Sequence, residues 1–214
     1  MDGRSYRREP LVSAHIYVEG GGDSKELRIR CREGFRKLIE NCGFSGRMPR
    51  LTACGGRDAV YDDFKTRNAQ KGSNDYVAMW IDSEEPMINI DRAWDHLQKV
   101  TTVTAWNKPE RASDDQVLFM TTCMETLIVA DRDTLSEHYG TKLQESTLTP
   151  LLPELEKRTR DEVQEKLKYA TRNCSNAYRK GRRSFEILGR LMPDTLEKSL
   201  PSFERVRRIL GEKL

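Results

Sequence analysis

Histidine and cysteine are few in this 214-residue chain, and they are badly placed for soft-metal chemistry. The three histidines (His15, His96, His138) stand far in sequence from the five cysteines, and no two cysteines form a Cys-x-x-Cys pair. A zinc cluster and a disulfide framework are both unsupported, and reduced thiols in a cytoplasmic protein are the expectation. No apolar run approaches the roughly 18 residues of a membrane span, so no membrane partner is expected. The opening, Met1–Pro10, carries charge with no apolar stretch behind it and does not read as a secretory signal. Residues 1–12 read instead as a polar arm. Internal repeats and low-complexity tracts are lacking too. A nucleotide loop is also missing. Gly20-Gly21-Gly22-Asp23 is neither a Gly-x-Gly-x-x-Gly turn nor a Walker loop, and Asp23 would repel a pyrophosphate.

What is present is a charged but foldable chain. Lys and Arg number 37 against 34 Asp and Glu, a net charge of +3, and 36% of residues are hydrophobic. The apolar residues come in discrete runs, which argues against wholesale disorder. Ala14–Val18 is rich in β-branched and aromatic types and predicts a strand. The next run has apolar residues at Leu27, Cys31, Phe35, Leu38, Ile39 and Cys42, the stripe of a helix. Asp23 and Glu26 have capping-box spacing ahead of it, and Gly43 is its stop. Leu51–Cys54 is a weaker strand, and a polar helix follows from Arg57 to about Gln70. Tyr76–Ile81 is apolar without alternation, as expected of a strand covered on both faces. A helix is predicted from Asn89 to about Val100, and Gln116–Met120 is a fourth strand or a helix entry. Helical spacing then runs from Met124 to Tyr139.

Strands alternating with helices predict an α/β domain over 13–140 with a mostly parallel sheet flanked by helices. From Thr141 the pattern is helical, basic and free of clear strands. Residues 141–214 therefore read as a helical basic extension packed on the core.

Two predicted strands end in acid. The first runs into Glu19, the third into Asp82 with Glu84 two residues on, and Glu85 reads as exposed charge. Functional groups of open parallel sheets gather at the carboxyl ends of strands. If these strands are neighbours, three carboxylates converge. A pair 4 Å apart repels by roughly 1 kcal/mol in water and about 4 kcal/mol at an effective dielectric of 20. A hard divalent cation offsets this, with Mg2+ or Mn2+ suited to oxygen ligands. The glycines after the first strand allow backbone amides to approach a phosphate.

The stretch Lys166–Arg190 holds eight Lys and Arg against the single acid Glu186. It is either a solvated helix face or a phosphate-binding stripe. On the second reading Arg179, Lys180, Arg182 and Arg183 bind substrate, with Lys180 nearest the scissile phosphate. Tyr169 and Tyr178 would then stack on bases, and Arg57, after two glycines, would hold a flanking phosphate. Asp131 reads as a helix-terminus residue or a partner for Arg132.

The stretch Val18–Asp23, followed by Ile81-Asp82-Ser83-Glu84, resembles the Toprim domain of topoisomerases, bacterial primases and overcoming-lysogenisation-defect nucleases. Glu84 stands where that family has a second aspartate. A closer resemblance is to a bacterial family of small Toprim-like proteins of unknown function, encoded beside an ATPase and linked to anti-phage defence. It runs through Val18–Asp23, Gly55-Gly56-Arg57, Asp82–Glu85, Cys123–Asp131 and Tyr178–Gly181 with Ser184. The resemblance implies a Toprim-like Rossmannoid fold and Mg2+-dependent phosphodiester chemistry on DNA or RNA. It makes Glu19, Asp82 and Glu84 the metal ligands, with Glu19 also a general base. Glu125 is then either the polar edge of its helix or a group turned toward the metal. The expected function is a metal-dependent nuclease acting on nucleic acid, possible in an oligomer and beside a partner ATPase. The alternative is a non-catalytic or conditionally active regulatory subunit of an ATPase complex. Phosphoryl transfer on a small molecule would need the nucleotide loop that is missing.

Overall fold

The computed structural model describes residues 13–214, and the arm assigned to 1–12 lies outside the described residues. Its strands are β1 (Ser13–Gly21), β2 (Arg50–Gly55), β3 (Asp75–Asp82) and β4 (Val117–Met120). The helices used below are α1 (Lys25–Ile39), α2 (Arg57–Gln70), α3 (Ala93–Lys99), α4 (Met124–Ala130), α5 (Arg132–Tyr139), α6 (Arg160–Thr171), α7 (Arg182–Leu188), α8 (Pro193–Ser199) and α9 (Pro201–Lys213). The sheet is all parallel in the order β2-β1-β3-β4. This is an α/β fold with helices on both faces, as predicted.

Side chains alternate across the sheet, and each face has its own core. Ile16, Val18, Ala78, Trp80, Leu118 and Met120 pack with α1 and the C-terminal helices. Tyr17, Val77, Met79, Ile81, Val117 and Phe119 pack with Val60 and Phe64 of α2 and Trp94 and Leu97 of α3. Val163, Leu167, Phe185, Leu196 and Phe203 of the 141–214 extension belong to the first of these cores. The extension is therefore part of the wall that buries the sheet. From α9 the buried Arg205 donates to the carbonyls of Val117 and Asp114, at the start of β4.

Several expected boundaries shift for local reasons. Ser24, not Asp23, caps α1, its hydroxyl accepting from Leu27 N. The helix predicted from Asn89 begins at Ala93, because the Asn89 side chain accepts from Asp91 N and folds that segment into a turn. The single helix predicted over Met124–Tyr139 breaks at Asp131. Its buried carboxylate accepts from Thr134 N and Oγ1, starting α5, and from Met192 N. Asp131 is thus the helix-terminus residue of the two roles considered. Arg132 pairs with Glu145 instead.

Candidate metal centre

β1 and β3 are hydrogen-bonded neighbours, with Val18 opposite Trp80, so their acidic ends meet. One carboxylate oxygen from each of Glu19, Asp82 and Glu84 lies within 4.8 Å of the others. The turns that follow aim these groups inward. Glu84 sits in the left-handed region at φ 68°, and its N–H donates to Thr122 O, which turns its carboxylate back over the strand ends. After Glu19 the chain runs through Gly20, Gly21 and Gly22, all at positive φ. A Cβ on Gly21 would lie 2.7 Å from the Arg28 backbone, so only glycine lets β1 leave the sheet this close to α1.

Asp82 is almost fully buried. Its Oδ1 accepts from Met124 N at 2.9 Å, and its own N–H donates to Glu19 Oε2 at 3.2 Å. Burial and the Glu19 charge push the Asp82 carboxyl well above the usual range, with Lys180 opposing them. Burial and the Glu84 charge raise Glu19, and Arg57 opposes them. These are two acids held where they resist ionisation, as expected of buried carboxylates packed against like charge.

Arg160, at the first position of α6, opposes that repulsion. Its guanidinium pairs with Glu84, and its Nη2 lies 3.6 Å from Asp82 Oδ2. Arg57 is a second opposing cation. Its side chain is turned inward rather than toward a flanking phosphate. It is 9% exposed, donates to Asp82 O at 3.0 Å and lies 4.2 Å from the Trp106 ring centre. Two of its buried nitrogens, Nε and Nη2, have no partner among the described residues.

A cavity of about 330 Å³ opens over the carboxylates, lined by Glu19, Asp82, the three glycines, Met124 and Lys180. Lys180 also lines a second hollow of about 620 Å³ with Arg179, Arg182, Arg183, His138 and Glu186. The four basic residues of this stretch expected to bind substrate thus line one hollow, and Lys180 alone of them also lines the carboxylate cavity. Arg183 is partly spent there as a structural donor to Ala177 O.

Glu125 does not join the three carboxylates. It is fully buried on α4, where Oε1 accepts from the Tyr178 hydroxyl at 2.5 Å and Oε2 from Gln164 Nε2 at 3.2 Å. Against its burial, Lys180 and the Tyr178 hydroxyl hold its pKa below the usual value. Tyr178 is 4% exposed and cannot stack on a base, which corrects that expectation. It is the tie between the α4 acid and the chain leading to Lys180. Tyr169 is exposed, with Arg172 lying over its ring at 3.5 Å. Glu85 is half-buried at the turn rather than a free exposed charge, its Oε1 held by Thr101 N, Thr101 Oγ1 and Thr102 N.

The donor set suits a hard cation, since every converging atom is a carboxylate oxygen. Two oxygens on one magnesium lie at most about 4.2 Å apart, given Mg–O of about 2.1 Å.

The fold and site define a parallel α/β protein with a triple-carboxylate centre at the carboxyl ends of adjacent strands. The chain belongs to a family described as a domain of unknown function (DUF4276), whose model matches residues 18–210. No curated protein and no solved structure matches it. Among the described residues no helix is long and apolar enough to cross a membrane.

Proposed function

We propose that the protein is a Toprim-type nuclease that hydrolyses phosphodiester bonds of DNA or RNA with Mg2+, for which Mn2+ can substitute. The observation that carries this reading is the convergence of Glu19, Asp82 and Glu84 beside Lys180. Those three carboxylates would hold one or two ions. Such an ion activates water and neutralises charge on a phosphate. Glu19, which lines the cavity and whose pKa is raised by burial and Glu84, would take the proton from the attacking water. Lys180, exposed on the cavity wall, steadies the negative charge gathering on the phosphate. Arg160 pairs with Glu84 and faces Asp82, and Arg57 holds the Asp82 backbone carbonyl.

The test is cleavage of labelled DNA and RNA with Mg2+ or Mn2+ by the wild type, Glu19→Gln and Asp82→Asn. Activity in the wild type alone supports the reading. Equal activity in all three is contamination and ends it.

One observation favours the second reading, a conditionally active partner of an ATPase in anti-phage defence. Arg160 already neutralises Glu84 and faces Asp82, so the isolated chain has less need of an ion. An ATPase that co-elutes in fixed ratio from the native host, with cleavage only in the complex, would favour this reading.

A further inference from the structure

The basic groups on the Lys180 rim are not the only ones beside the carboxylate cavity. Lys25, Arg28 and Arg32 follow one another at helical spacing along α1, and Arg50 begins the neighbouring edge strand β2. Together they line a hollow of about 450 Å³ in which Asp23 is the one acid. Arg28 is 3.9 Å from Asp23, and its Nε donates to Gly22 O at 2.8 Å. Lys25, Arg32 and Arg50 are exposed and pair with no carboxylate among the described residues.

This hollow and the Lys180 hollow lie on opposite flanks of α1. Gly34 packs directly on α7, where a Cβ would meet the Phe185 carbonyl at 2.6 Å. At 3.6 residues per turn Arg32 is about 200° around the helix from Gly34. Each hollow adjoins the central cavity through one element. On one flank Lys180 lines both spaces, and on the other Arg28 grips Gly22, which lines the cavity.

We propose that Lys25, Arg28, Arg32 and Arg50 form a second phosphate-binding site. The substrate is then a polynucleotide that crosses the N-terminal end of α1, with phosphates held on both flanks and the scissile one between them. A helix with side chains is roughly 10–12 Å across. At about 3.4 Å of axis per phosphate on one strand, the crossing takes roughly three to four phosphates. The ligand is therefore a chain and not a nucleotide, and it needs no free end. The proposal rests on the nuclease reading for its choice of polyanion, so binding is measured without metal and the two can fail separately.

The experiment is fluorescence anisotropy in EDTA between 0.05 and 0.2 M salt. It uses single-stranded DNA and RNA of about 4, 12 and 24 nucleotides and a closed DNA circle competing against the linear strand. The proteins are the full-length wild type, Arg32→Gln/Arg50→Gln and Arg179→Gln/Arg182→Gln, all checked for unchanged melting. Each lost phosphate contact lowers the salt slope on single strands by about 0.7. Each double variant is therefore expected to lose about 1.4 of slope and to bind roughly 10- to 25-fold more weakly at 0.1 M salt. The 12-mer should bind much more tightly than the 4-mer, and the circle should compete as well as the linear strand. The DNA and RNA arms decide which polymer is preferred. Wild-type slope and affinity in Arg32→Gln/Arg50→Gln would make this face merely solvated and overturn the proposal. So would equal binding of 4-mer and 24-mer, failure of the circle to compete, or no binding at all. Binding as expected with no cleavage on adding Mn2+ would strike the nuclease reading alone.

Discussion

Asp82→Asn should make the metal-free protein more stable, and the size of the effect can be worked from the site. Unit charges at the 4.8 Å limit of the cluster repel by about 3.5 kcal/mol at an effective dielectric of 20, and closer ones by more. Ionised Asp82 therefore meets about 7 kcal/mol of repulsion from Glu19 and Glu84 together. Arg160, 3.6 Å from Oδ2, offsets about 4.6 kcal/mol on the same scale. Asparagine removes both terms, together with the opposing effects of Lys180 on one side and of Glu125 and burial on the other, and keeps an oxygen for the Met124 N–H, leaving a gain on the order of 2 kcal/mol. For a chain of this length that is a rise in Tm of roughly 4–8 °C. The sign with pH follows from the raised carboxyls of Asp82 and Glu19. Between the ordinary carboxylate range and the raised values the folded state holds more protons than the unfolded one. Wild-type stability thus falls as pH rises through that window, and Asp82→Asn should flatten the fall. A metal at about 100 times its Kd adds roughly 2.7 kcal/mol to the wild type and little to the variant, so the order inverts. Calorimetry in EDTA at pH 5 and 8, then in Mn2+, reads all three effects. A variant that melts below the wild type in EDTA, with the same pH dependence, would refute the charge argument.

Removing Arg160 should do the reverse. Arg160→Met strips Glu84 of its cation and lowers stability in EDTA by on the order of 3 kcal/mol, and Mn2+ should restore most of it in urea titrations. Tyr178→Phe leaves Glu125 Oε1 without its hydroxyl donor and should cost about 1–3 kcal/mol. Its Mn2+ affinity by calorimetry should stay at the wild-type value, since Glu125 lies outside the three ligands. Gly34→Ala forces a Cβ against the Phe185 carbonyl and should cost about 1–3 kcal/mol by overpacking α1 against α7, read from the urea midpoint.

Glu19 and Asp82 were legible because each ends an apolar run that has to be a strand, and acids at such ends have few other reasons to cluster. Adjacency of β1 and β3 was the missing step, and strand order is not written in either segment. Arg160 left only a faint mark. A cation at the first position of α6 opposes the helix dipole, which hints at an acid nearby but not at Glu84, 76 residues away. Tyr178 was misread because its neighbours in sequence are basic. The better signal lay on α4, where a buried Glu125 among Met124, Leu127 and Ile128 demands donors from elsewhere. Arg57 was misread for a related reason. Two glycines suggest an open phosphate turn, but Trp106, far along the chain, covers the guanidinium.

Arg205 reaches from α9 to the carbonyl of Val117, so the last strand of the sheet is sealed by a helix some eighty residues downstream. During synthesis β1 to β4 all leave the ribosome before that seal exists. Until α9 arrives, the apolar side of β4 is open to any hydrophobic surface nearby, and a nascent chain stalled before Pro201 should be a client for holding chaperones.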